Sequence, residues 1–288
     1  MALVIPRSLA RSCARTPDRA AWLARLPALV EELAAAWSLT LGAPFDGPEV
    51  SASWVAPVER GALGPAVLKV GLPHFEAEQE IEGLRFWDGD ATVRLLASDD
   101  ARGAMLLERC RPGTTLRERS EPEQDAVIAR LLRRLWRRSP ERPRFRPLSA
   151  LTEYWSAETL TQRDLWPDEG LVREGLRLFR ELPESASERV LLATDLHAGN
   201  VLSAAREPWL VIDPKPFVGD PAYDATQHLL NGLDRLRTDA DGTMRRLADL
   251  LRVDPRRVRA WTFARLAAEP REDWTEGTAL DLARRIAL

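Results

Sequence analysis

Asp195-Leu-His-Ala-Gly-Asn200, followed by the apolar run Trp209-Leu-Val-Ile212 that delivers Asp213, is the stretch on which the reading of this chain turns. An aspartate, an asparagine five residues later and a second aspartate at a strand end supply a three-point set suited to phosphoryl transfer: one base and two Mg²⁺ ligands. Short strands at 201–202 and 210–212 would form a hairpin, which brings Asn200 and Asp213 towards one metal although they are thirteen positions apart. Gly199 permits a close backbone approach before Asn200.

The spacing Asp-Leu-x-x-x-Asn repeats the second half of the protein-kinase catalytic loop. A histidine or arginine usually stands just upstream; here Ala193 and Thr194 do, so what orients this loop is an open question. His197 is read as holding the turn, with metal ligation or proton transfer as the alternative. Only six residues separate Asp213 from Asp220 and no Ala-Pro-Glu pattern follows, which excludes a protein-kinase activation segment and points to a small acceptor. The many carboxylates suit a cationic one. Asp220 and Pro221 have the form of an N-cap and first helical residue, and Asp224, one turn on, is either an acceptor contact or a surface carboxylate.

Of the 41 basic residues only Lys69 and Lys215 are lysines. In so arginine-rich a chain, a lysine marks a place where a compact, flexible ammonium is preferred to a planar fork. Lys69 lies in the strand-like Ala66-Val-Leu-Lys-Val70, and Lys215 stands two residues after Asp213. A helical stretch with Ile81, Leu84, Phe86 and Trp87 follows Lys69, and Glu80 in it is positioned to hold the ammonium against phosphates. Glu76, Glu78 and Glu82 compete for that role.

The length, 288 residues, accommodates two lobes, and 45% hydrophobic with 30% charged residues is ordinary for a globular protein. No run approaches the roughly 18 apolar residues of a membrane span. The start, Ala2-Leu-Val-Ile5 cut by Pro6 and Arg7, is not read as a secretory segment, so a cytoplasmic protein is expected. A net charge of -3 argues against nucleic acid as a partner. Two distant cysteines and three histidines argue against a zinc site.

Helical spacing of Leu23, Leu26, Val30 and Leu33 after Thr16-Pro17 predicts a helix to about residue 37. Strands are predicted at 50–58, 65–70, 92–96 and 104–107, about five in the first lobe in all, and the lobe is divided from the rest at 108/109. Glu108 to Cys110 are where adenine would meet backbone groups, unless they merely begin a linker. Ser120 and Glu123 form a capping box for a helix with Val127, Ile128, Leu131, Leu132 and Leu135 on one face. Further helices are predicted at 151–162 and 168–182, a strand at 190–193, and amphipathic helices without a motif at 244–251, 255–268 and 278–286.

The stretch Leu-Ala-Thr-Asp195-Leu-His-Ala-Gly-Asn200-Val-Leu, then Val-Ile-Asp213-Pro-Lys-Pro-Phe-Val-Gly-Asp-Pro-Ala-Tyr-Asp224, resembles the aminoglycoside phosphotransferase family, in particular its streptomycin 6-kinase and hydroxyurea-kinase branch. The likeness includes Val-Leu-Lys69, Glu80-x-x-x-Leu84-x-x-Trp87-Asp-Gly and Leu-Leu-Glu108-Arg, and covers most of residues 50–235. It implies an α+β, two-lobed protein-kinase-like fold with an antiparallel sheet and a helix in the first lobe and a largely helical second lobe. It further implies ATP with Mg²⁺ and phosphorylation of an antibiotic hydroxyl. By position Asp195 would be the base, Asn200 and Asp213 the metal ligands, Lys69 the phosphate contact and Glu80 its partner. The family's His-Gly-Asp is here Ala193-Thr194-Asp195. The alternatives are a kinase of another small hydroxyl compound and a nucleotide-binding sensor without transfer.

Overall fold

Alternation at period two builds the first unit. In residues 53–59 every second side chain, Trp54, Ala56 and Val58, is buried, and in 65–71 the inward set is Ala66, Leu68 and Val70. A pleated strand with one face on a core demands that pattern. The computed structural model describes residues 3–47, 51–138, 145–271, 273–274 and 278–287. Its first unit comprises α1 (Arg7–Cys13), α2 (Pro17–Ala36), β1 (Thr40–Leu41), β2 (Ser53–Glu59), β3 (Pro65–Gly71), α3 (Glu80–Trp87), β4 (Leu95–Asp99) and β5 (Ala104–Glu108). The strands form one antiparallel sheet in the order β1-β2-β3-β5-β4.

Each face of that sheet carries its own core. Thr16 caps α2 through a bond from the Arg19 N–H, and Pro17 at the first helical position needs no N–H partner. The stripe Trp22, Leu26, Val30 and Leu33 packs with Trp54, Leu68 and Leu106 on one face. On the other face Leu84 of α3 packs with Val67, Met105 and Leu107. Lys69 belongs to this second face, with Val55 and Met105 as its cross-strand partners.

The strand expected at 92–96 forms instead at 95–99. Thr92 makes only a single bridge, to Val211, and Ala91 before it has φ 64°, which breaks an extended run. The fifth strand, Thr40–Leu41, is too short to show any periodicity. Of the strand expected at 50–58, Val50 lies outside the described residues and the rest is extended from Ser53.

The first unit also extends beyond residue 108, to 115, and regains residues 202–212. Backbone bonds explain this. Ser203 N–H donates to Thr114 O at 2.9 Å and Gly113 N–H to Ser203 O at 3.0 Å, while Val93 and Val211 are joined by Val93 N–H donating to Val211 O at 3.0 Å.

The second unit is residues 116–201 and 213–288. It holds α4 (Glu121–Leu135), α5 (Leu148–Thr161), α6 (Glu169–Glu184) and β6 (Val190–Leu192). The chain then forms β7 (Val201–Leu202), β8 (Leu210–Val211), β9 (Phe217–Gly219), α7 (Asp224–Leu230), α8 (Leu233–Leu251), α9 (Pro255–Ala268) and α10 (Thr278–Arg285). The capping box opens α4, with Ser120 N–H donating to Glu123 Oε2 at 3.1 Å. β6 pairs antiparallel with β9, and β7 pairs with β8.

α9 departs from the amphipathic helix expected of it. Every residue from 260 to 268 is buried, because α6, α7, α8 and α10 all pack on it. A helix apolar or internally paired on all sides is the centre of a helical unit. Among the described residues no helix is long and apolar enough to cross a membrane.

Candidate active site

In the first unit, the strand position of Lys69 and the first turn of α3 bring two charges together. Lys69 Nζ donates to Glu80 Oε1 at 2.5 Å, with side-chain exposures of only 7% and 3%. Glu80 is the buried one of the four candidate carboxylates; Glu76 and Glu82 are half-buried and Glu78 is exposed. An ammonium carries three donors, so its pairing with one carboxylate is compatible with contact to a phosphate oxygen as well.

In the second unit, β6 runs straight into the loop. Asp195 N–H donates to Ala193 O at 2.6 Å, closing a three-residue turn about Thr194, whose φ is 40°. A β-branched residue in that region costs on the order of 1–3 kcal/mol and persists only where its surroundings over-determine it. Asp224 and Lys215 supply the determination. Asp224 Oδ1 accepts from Thr194 N–H at 2.9 Å, its Oδ2 accepts from Ala193 N–H at 3.0 Å and from the Trp136 indole at 2.8 Å, and Thr194 Oγ1 donates to Lys215 O at 2.7 Å. This answers how a loop with alanine and threonine upstream is oriented. A buried carboxylate grips it from beneath.

Asp224, expected as either an acceptor contact or a surface carboxylate, is instead an internal brace: it is 1% exposed and both oxygens are engaged. Burial pushes its carboxyl up to about 6, against the opposing pull of Trp136 and the two backbone donors. Asp220, 4% exposed, is the N-cap expected of it. It caps the turn at 221–223 through Ala222 N–H at 3.0 Å and accepts from Trp261 at 2.7 Å and Arg257 at 2.6 Å.

Asp195 itself is half-buried, and Gln227 Nε2 donates to its Oδ1 at 2.6 Å. Asn200 Nδ2 donates to the Asp195 carbonyl at 2.9 Å, which turns Asn200 Oδ1 to the opposite side of the amide. Asp213 follows β8, also at positive φ (58°), and Lys215 Nζ hydrogen-bonds its Oδ1. Lys215 is buried while the Asp213 side chain remains 33% exposed. Hard oxygens from one carboxylate and one amide suit Mg²⁺, which takes few protein ligands and completes its shell with phosphate and water. The ammonium already seated on Asp213 marks the carboxylate as a cation position. Among the described residues no group of three or more His, Cys, Asp or Glu side chains could hold a metal unaided.

His197 holds the turn. Its Nδ1 accepts from Gly199 N–H at 3.0 Å, which places the ring proton on Nε2. Burial first, and then the Arg117 cation, lower its pKa to about 4 from an ordinary 6.5. A depressed folded-state value means that the neutral ring stabilises the fold fully above pH 6.5 and that this contribution, on the order of 3 kcal/mol, is lost as pH falls through about 4. Asp224, raised above its ordinary 3.8, has the opposite sign between 3.8 and about 6. The melting temperature of His197→Asn, which retains a capping acceptor, should fall less steeply than that of the parent between pH 6.5 and 4; an unchanged slope would remove His197 as the cause.

Glu108 and Cys110 serve the first unit internally through their side chains. Burial raises the Glu108 carboxyl, but Arg206 and the Arg94 N–H outweigh it and hold it below the usual range, with Arg206 Nη2 at 2.9 Å and Arg94 N at 3.1 Å. Arg206 also donates to Gly89 O and Thr92 O, so one side chain ties the β7–β8 connection to the end of β5. Burial and then Glu108 raise the Cys110 thiol to about 11, which leaves it protonated and inert. Sequence reasoning missed Arg206, Trp136, Gln227 and Arg265, all of which act across long separations.

The chain matches the family described as aminoglycoside/hydroxyurea antibiotic resistance kinase over residues 40–271. It is 40% identical over 293 residues to streptomycin 6-kinase of Streptomyces glaucescens, covering 96% of this chain and 92% of that one. To streptomycin 6-kinase of Streptomyces griseus it is 36% identical over 296 residues, covering 99% and 95%. Among solved structures, choline kinase LicA from Streptococcus pneumoniae matches with a TM-score of 0.67 at 13% identity, covering 91% of this chain and 99% of that one. That likeness concerns the fold, which is protein-kinase-like.

Proposed function

Because the chain belongs to the aminoglycoside/hydroxyurea antibiotic resistance kinase family, we propose that it moves the γ-phosphate of ATP to a hydroxyl of streptomycin. The observation that carries the assignment of roles is the braced loop, in which Asp195 and Asn200 are fixed to one another and Asp213 stands beside a cation. Asp195 orients the acceptor hydroxyl and takes its proton late in the transfer. The acceptor oxygen forms a bond to γ-phosphorus, the bond from γ-phosphorus to the bridging oxygen breaks, and that electron pair stays on ADP. Asn200 Oδ1 and Asp213 would hold Mg²⁺, which when bound would neutralise charge on the transferring phosphate.

Lys69 is the phosphate contact of the first unit and Glu80, paired with it, directs its ammonium. Lys69→Met should lower kcat/KM for ATP by roughly 10²-fold, the loss expected of one preorganised electrostatic donor. Steady-state kinetics with varied ATP would show it, and a kcat/KM within twofold of the parent would remove Lys69 from the phosphate site.

The acceptor is tested by incubating the protein with Mg-ATP and, separately, streptomycin, other aminoglycosides, a nucleoside and hydroxyurea, with mass detection of an added phosphate. Phosphorylation of streptomycin alone establishes the reading. Phosphorylation of hydroxyurea in its place would reassign the acceptor within the same family, and nucleotide binding without any transfer would favour a sensor.

A further inference from the structure

Resting on Asp195 as the base, we infer that Gln227 is a positioning residue that holds the Asp195 carboxylate for transfer, and that α9 at the centre of the helical unit fixes Gln227 through Arg265. The glutamine amide has one acceptor and one donor end, and chemistry decides which faces which. Arg265 Nη2 lies 2.7 Å from Gln227 Oε1, and a guanidinium only donates. The NH₂ end is thereby turned to Asp195 Oδ1 at 2.6 Å.

Arg265 is itself immobilised. It is 4% exposed, donates to Thr226 Oγ1 at 2.9 Å and to Glu269 at 2.8 and 3.0 Å, and lies over the rings of Trp155 and Tyr223 at 5.2 and 5.4 Å. A relay from Glu269 through Arg265 and Gln227 to Asp195 thus restrains one carboxylate oxygen, while Asn200 Nδ2 stands 3.5 Å from the other. Holding a base within a few tenths of an ångström of its productive pose is what a supporting side chain contributes to rate.

The decisive variant is Gln227→Glu. Glutamate accepts from Arg265 as glutamine does, so the link to α9 is preserved, but the end facing Asp195 changes from donor to carboxylate oxygen. We expect kcat for transfer to streptomycin to fall about 10- to 100-fold with KM for ATP within about threefold, at the cost of a lower melting temperature from the two facing carboxylates. Should streptomycin prove not to be an acceptor, the slow transfer to water is read in its place. Gln227→Met, similar in volume and without a donor, should show the same split and carries the test if the charged variant fails to fold. Wild-type kcat in either folded variant overturns the inference. Asp195→Asn, measured alongside, separates the two failures: full turnover in that variant sinks the base assignment, whereas its inactivity beside fully active Gln227 variants sinks the positioning role alone.

Discussion

Asp195→Asn is expected to lower transfer by about 10²- to 10⁴-fold while leaving Mg-ATP affinity within about threefold, because a general base contributes to the transition state and not to nucleotide binding. The substitution is close to isosteric. Asparagine Oδ1 can still accept from Gln227, and the carbonyl that receives the Asn200 amide belongs to the backbone, so the loop keeps both of its fixings. What disappears is an atom able to take the acceptor's proton. Initial rates with streptomycin, beside a nucleotide titration followed by calorimetry, measure both halves. A variant retaining more than a tenth of parental turnover would show that positioning of the phosphate suffices, and a variant losing nucleotide affinity equally would place Asp195 at the metal.

The charged pair of the first unit was legible because both of its members sit on regular elements. A strand of period two put Lys69 opposite the α2 face, and a helix starting near residue 80 offered few carboxylates, of which Glu80 is the buried one. The order Asp195, Asn200, Asp213 was legible as spacing alone. The supports were not. Gln227 and Arg265 are 38 positions apart and lie on α7 and α9, neither of them within a recognised motif, and their bond exists only once α9 is enclosed by its neighbours. Asp224 was misread for a related reason: a carboxylate one turn into a helix reads as solvent-facing, and only tertiary structure brings two backbone N–H groups and an indole to it. Local pattern finds groups that act through their own element; it does not find groups that act by closing a distance.

Asp224→Ala should be the most damaging single substitution to stability. It leaves the buried N–H groups of Ala193 and Thr194 and the half-buried Trp136 indole without their acceptor, and each buried unsatisfied donor costs about 1–3 kcal/mol. Two such losses and a partial third approach the lower end of the roughly 5–15 kcal/mol by which a domain is stable at all, so the alanine variant should fail to accumulate as folded protein or unfold at a much lower urea concentration. Asp224→Asn separates stability from activity. Its amide oxygen can still accept from Thr194, but its NH₂ meets the donors of Ala193 and Trp136, so it should fold with a reduced urea midpoint. Thr194 at φ 40° then loses part of what holds it in a costly conformation, and relaxation of that turn moves Asp195, the next residue. The expected signature is a folded Asp224→Asn protein whose kcat falls further than its nucleotide affinity. If kcat survives while the urea midpoint drops, the grip of Asp224 serves the fold alone, and the pose of Asp195 is set from the Gln227 side.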